Sequence, residues 1–316
     1  MFHYLITRPL GFIIEQIYNL VQNYGLAIIL FTVIIKLILL PLNVKSQKAM
    51  KKQQKIQPII AELQSKYKND QEKLQREMMK VYKENNVSMM GGCLPMLIQM
   101  PILIGLYQVI QRPITYLAGV GEWTQDKLQI VAGLRDKIAA SFPDLLGNYA
   151  TMDLKNVVKT GQIEISNWCA KLGEQTEWVF NFDFLGLDLS NKPSAAISRI
   201  MAADFSDMGI VMLILIPVFA VLTTWLSSKI MQMQNKTANS AANDQANQMT
   251  STMNIMMPLM TGYFTFILPT GMGLYWIISS VMQIVQQVAL NYYFDKKGDD
   301  FDVKLPQTNS KKRKKH

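Results

Sequence analysis

Apolar residues along the chain gather into five runs, each close to the roughly 20 residues a helix needs to cross the hydrocarbon core of a bilayer. The runs occupy 25–44, 93–112, 208–228, 252–269 and 271–293. The fourth is the weakest, being short and interrupted by Thr, Asn and Gly. Between the runs the pattern turns amphipathic. In 1–24, residues Phe12, Ile13, Ile17, Leu20 and Val21 share one helical face. That segment is too polar to span, so it reads either as a helix lying on the outer surface or as a simple lead-in to the first span. In 45–92, Ile56, Ile59, Ile60, Leu63 and Tyr67 form one stripe, and Leu74, Met78, Val81 and Tyr82 form another. Two such stripes predict an antiparallel helical hairpin. Asn69 with Glu72 resembles a capping box opening the second arm, and Pro58 predicts a kink or restart in the first. Residues 126–142 read as an amphipathic helix, and the rest of 113–207 gives no fold.

Composition points the same way as the runs. The chain has 316 residues, 49% hydrophobic and 17% charged, against about 25% charged in soluble domains. The fold class expected is therefore an all-α polytopic membrane protein. Basic residues outnumber acidic ones 11 to 5 over 45–88 and 8 to 4 over 294–316, and 229–251 adds a small basic excess. The long 113–207 segment reverses the balance, with 8 basic against 12 acidic residues. By the positive-inside rule the three basic segments face the cytoplasm. Five crossings then place the N-terminus outside, the C-terminus inside and 113–207 outside. Residues 1–24 lack a basic start and a small-residue cleavage site, so no cleaved signal is expected.

The candidate chemistry is sparse. The two histidines, His3 and His316, sit at the termini, and the two cysteines, Cys93 and Cys169, fall in segments of different depth. No cluster has metal-ligand spacing and the histidines are terminal, so neither a metalloenzyme nor a His-based hydrolase is expected, and no cofactor is expected. Lys36 stands near the middle of the first span, Arg112 closes the second, and no acidic residue falls within any of the five. A cation at bilayer depth costs about 2.5–3.5 kcal/mol on insertion scales. It therefore either faces a polar groove or snorkels to the cytoplasmic surface. Thr32 lies one turn before it on the same face, Gln99 lies in the second span, Ser227 and Ser228 close the third, and Gln283, Gln286 and Gln287 lie in the fifth. Taken singly each is ordinary interhelical glue, and together they are able to line a wet cavity. Prolines at 95, 101, 217 and 258 either open such a groove or only adjust packing.

Several blocks then resemble one family. TVIIKLILLPLNVKS with its Lys/Gln-rich continuation, residues 56–107, FDFLGLDLS at 182–190 and residues 253–287 are similar in order and spacing to the YidC/Oxa/Alb insertases. The similarity covers about 7–112 and 182–294, while about 113–181 is longer than the corresponding family loop. The resemblance implies five core helices around a hydrophilic groove open to the cytoplasm. It puts the family's groove cation, commonly Arg, on Lys36. It puts the groove Thr on Thr32, the second-span Gln on Gln99, and the substrate-contacting aromatic on Trp276 beside Tyr275. The third-span polar position falls on Ser228.

The function so implied is insertion of nascent membrane proteins into the bacterial cell membrane by a monomer. The implied partners are the ribosome, meeting the basic tail and hairpin, the Sec translocon and anionic lipids. Two other readings stay open: a small-anion transporter or channel using Lys36, which would need a continuous pore or inverted repeats, and a membrane-anchored nucleic-acid binder using its Lys clusters.

Overall fold

A computed structural model describes residues 3–87, 94–197, 208–235 and 244–297. Cys93 and most of the basic tail lie outside them. The described residues are mainly helical. The principal helices are α1 (Arg8–Val21), α2 (Tyr24–Ile38), α3 (Leu40–Lys66), α4 (Gln71–Glu84), α5 (Leu94–Gln111), α6 (Pro113–Tyr116), α7 (Gln125–Ser141), α8 (Leu154–Thr160), α9 (Gln162–Leu172), α10 (Met208–Asn235), α11 (Asp244–Ile267) and α12 (Thr270–Lys297). Two-residue strands, β1 (Asp183–Phe184) and β2 (Leu187–Asp188), pair antiparallel.

By length and composition, Met212–Met231 and Thr270–Phe294 are able to cross a membrane, and α2 with α3 makes a third candidate if the broken pair counts as one span. Ile255–Ile267 is apolar but shorter. The outward faces are apolar: Val218 is 54% exposed, Leu222 52%, Leu259 66%, Tyr263 61% and Val285 56%. In water a patch of this kind is rare on a monomer, whereas hydrocarbon accepts it. Polar side chains take the inside, among them Thr32, Lys36, Thr261, Thr265, Ser279, Ser280 and Gln287. A membrane protein built of apolar helices accounts for both facts.

The chain divides into two compact units. The first comprises Met1–Leu37, Gln99–Thr224 and Pro258–Ser280. Its core is a single cluster that includes Ile14, Tyr24, Ile28, Ile110, Val131, Ile138, Ile165 and Trp168. The segment whose fold the sequence does not reveal is thus packed, through α7, α8 and α9, into the same core as the first span. α5 stops at Gln111 because Pro113 follows; Arg112 leaves helical geometry with φ −127° and ψ 59°. That break orphans the Ile110 carbonyl, and the buried Tyr24 hydroxyl donates to it at 2.7 Å.

The β1–β2 hairpin ties the first unit together. Tyr24 N donates to the Asn181 carbonyl at 3.0 Å, and Asn23 Nδ2 donates to the Asp183 carbonyl at 2.8 Å. On its other side, Thr270 N and Oγ1 both donate to the Asn191 carbonyl, at 2.9 and 2.7 Å. The start of α12 is therefore capped by backbone from the hairpin segment. Gly25 admits the Phe184 ring: a Cβ there would lie 2.5 Å from it.

The second unit comprises Ile38–Ile98, Trp225–Met257 and Val281–His316. Here α3 and α4 pack along their stripes, burying Ile56, Ile59, Ile60, Leu63, Leu74, Val81 and Tyr82. Of the kink or restart expected at Pro58, the restart does not occur: α3 runs through it as one helix. The cap of α4 falls one residue later than expected: Asp70, not Asn69, accepts from Lys73 N, at 3.0 Å. Tyr67 closes a turn onto Asp70 N at 3.0 Å, leaving Asp70 as the last non-helical residue. Glu72 is then free of capping duty and pairs with Arg76 at 2.7 Å. α1 buries Leu10, Ile14, Ile17 and Tyr18 against the protein and leaves Phe12, 61% exposed, and Leu20, 83% exposed, facing outward.

Candidate functional site

Lys36 sits near the end of α2 and is 8% exposed. α2 cannot continue straight on, because Pro41 supplies no amide hydrogen and its ring crowds the carbonyl of the preceding turn; the helix breaks at Leu39. Thr32, one turn before Lys36, is 1% exposed, and its hydroxyl donates to the Ile28 carbonyl at 2.7 Å. Thr32 therefore spends its proton within its own helix and keeps only acceptor capacity.

Gln99 and Tyr275 meet directly. Gln99 Nε2 on α5 donates to the Tyr275 hydroxyl on α12 at 3.1 Å, and Tyr275 is 4% exposed. Ser279, one turn further along α12, also bonds that hydroxyl. Trp276 is half-buried and stacks on Phe264 of α11, with ring centroids 6.4 Å apart and planes 11° from parallel. Lys36, Thr32, Gln99, Tyr275 and Trp276 all belong to the first unit; Ser228 belongs to the second and is half-buried.

Sequence reasoning missed several inward hydroxyls of the first unit. Thr224 and Ser280 approach to 3.3 Å between α10 and α12, and Thr265 bonds the Thr261 carbonyl within α11 at 2.8 Å. The Ser279–Ser280 pair in an otherwise apolar run was the available signal. In the second unit two of the fifth-span glutamines, Gln286 and Gln287, have specific partners. Asn43 Nδ2 donates to Gln286 Oε1 at 3.1 Å, and Gln47 and Gln287 exchange amide hydrogen bonds. Both contacts are interhelical bonds between α3 and α12. Among the described residues no group of three or more His, Cys, Asp or Glu side chains is placed to hold a metal.

Comparison with known proteins bears on this arrangement. The model of the 60Kd inner membrane protein family matches residues 16–297. A protein from Caldanaerobacter subterraneus named membrane protein insertase YidC is 30% identical over 282 residues, which is 89% of this chain and 92% of that protein. Proteins of the same name from Clostridium perfringens and Syntrophus aciditrophicus are 54% and 49% identical over 111 and 105 residues. Those two matches cover 35% and 33% of this chain, but only 46% and 19% of the relatives' own lengths. The relatives are named as insertases rather than as enzymes. A helical chain with apolar outward faces, a buried cation and a family match over most of its length is a bacterial membrane protein belonging to the 60Kd inner membrane protein family, the family of the YidC insertases.

Proposed function

We propose that the chain inserts nascent membrane proteins, using five spans at 25–44, 93–112, 208–228, 252–269 and 271–293, with its N-terminus outside and its C-terminus in the cytoplasm. The observation that carries the reading is Lys36, a cation only 8% exposed on an apolar helix, in a chain with a relative named insertase along 92% of that relative's length. A charge kept at that depth has a use that offsets its cost.

The substrate's short outer tail, when acidic, is drawn toward Lys36. At about 4 Å and an effective dielectric of 20, that attraction is worth about 4 kcal/mol. It offsets part of the desolvation of one carboxylate, not of several, so tails rich in charge call on the Sec translocon. Lys in place of Arg keeps the pull and gives up the two-pronged grip on a carboxylate. The apolar part of the substrate then slides past Trp276 and its stacked neighbour Phe264 into lipid. The Gln99–Tyr275 bond holds the second and fifth spans together. The ribosome meets α3, α4 and the basic tail, and the Lys-rich start of the hairpin contacts anionic headgroups.

Purified protein in lipid vesicles tests the reading against the transporter alternative. Insertion of a small single-span protein to a protease-protected state, absent from protein-free vesicles, is expected. Anion flux without insertion would contradict it.

A further inference from the structure

The end of the second span and the segment that follows it line an open cavity of about 350 Å³ that the proposed insertion reaction does not use. Its lining includes Arg112, Thr115, Trp123, Lys155, Lys159 and Gln162, and no acidic side chain among the described residues. That is a local inversion of charge, because 113–207 carries 8 basic against 12 acidic residues.

The polar wall is built rather than incidental. Gln162 is 1% exposed. Its Oε1 accepts from Thr115 N at 2.9 Å, and its Nε2 donates to Thr115 Oγ1 at 2.8 Å and to the Val158 carbonyl at 2.8 Å. Trp123 Nε1 donates to the same Thr115 hydroxyl at 3.1 Å. Thr115 Oγ1 thus accepts two hydrogen bonds, which leaves its own proton to donate. Arg112 is held by Nε donating to the Lys159 carbonyl at 3.1 Å. Three cations and a committed hydroxyl donor facing one cavity match a phosphate group, with its several acceptor oxygens and full negative charge.

We propose that this cavity binds a phosphate group, presented by the headgroup of an outer-leaflet phospholipid. The lipid source rests on the topology proposed above; the anion chemistry does not. Arg112 directly follows the last residue of α5, so in that topology the cavity lies where the second span meets the outer headgroups. Trp123 and Tyr116 in its lining are the residue types that settle at that level.

The test is the melting temperature of the full-length protein in neutral detergent, titrated with short-chain phosphatidylglycerol, inorganic phosphate or phosphate-free diacylglycerol. Phosphatidylglycerol is expected to raise it and diacylglycerol to leave it unchanged. K155Q/K159Q should raise the half-saturating concentration about tenfold or more, and K155R/K159R should restore it. Both lysines are exposed, so the unliganded variants should melt with the parent. An equal shift with inorganic phosphate would support the anion site and overturn the lipid as its source. A lipid shift insensitive to K155Q/K159Q, or a shift given by an acidic peptide and not by phosphatidylglycerol, would overturn the proposal. Labelling of the exposed position 171 as Lys171→Cys in intact cells checks the topology separately. Access from the cytoplasmic side only would sink the topology and the lipid source, and leave the detergent result standing.

Discussion

The Gln99 amide donates to the Tyr275 hydroxyl across 3.1 Å, joining α5 to α12 between residues 176 positions apart in sequence. Interhelical bonds of this kind are worth about 0.6 kcal/mol on average in a membrane protein and up to about 1.7. A double-mutant cycle with Gln99→Leu and Tyr275→Phe should give a coupling energy in that range, read from unfolding in detergent. Strictly additive losses would show that the two groups do not stabilise one another.

Leu185 occupies the first central position of the β1–β2 turn with φ 54°, followed by Gly186 with φ 79°. A left-handed backbone costs a branched apolar residue about 1–2 kcal/mol, and no packing offsets it, because Leu185 is 83% exposed. Leu185→Asn, which tolerates this geometry in tight hairpins, should stabilise the protein by about 1 kcal/mol. A lower melting temperature would mean that the leucine makes a contact outside the chain, for instance with lipid.

Cys169 is fully buried, and burial, aided by Glu177 and Glu174, pushes its thiol up to about 12. The thiolate is the reactive form, so in a Cys93→Ser variant no thiol should react with a maleimide or disulfide reagent near neutral pH until the protein unfolds. The folded chain holds this proton more tightly than the unfolded chain. The associated stability is therefore complete below about pH 9 and declines as pH rises toward 12. Fast labelling of the native protein would contradict the buried placement.

Parts of this fold were legible because their signals are local. The stripes of α3 and α4 follow helical spacing, and Lys36 and Thr32 stand one turn apart within one helix. The cap at Asp70 rather than Asn69 slipped by one residue because either side chain is able to cap, and the turn closed by Tyr67 decides between them. The packing of 113–197 was not legible, since its anchors are distant in sequence: Asn23 to Asp183, Arg112 to Lys159, Thr270 to Asn191. The Gln99–Tyr275 pair shows the same limit. Both residues were candidates from sequence, but their bond is fixed by helix packing that no local pattern records.

In the proposed function the Lys36 charge drives insertion. The measurement is the yield of protease-protected substrate in lipid vesicles for the parent chain, Lys36→Ala and Lys36→Arg, using a single-span substrate with one carboxylate in its outer tail. If the charge supplies about 4 kcal/mol at the groove, Lys36→Ala loses most of the insertion, Lys36→Arg retains it, and a substrate with its carboxylate neutralised depends far less on residue 36. Equal insertion by Lys36→Ala and the parent chain would contradict the account.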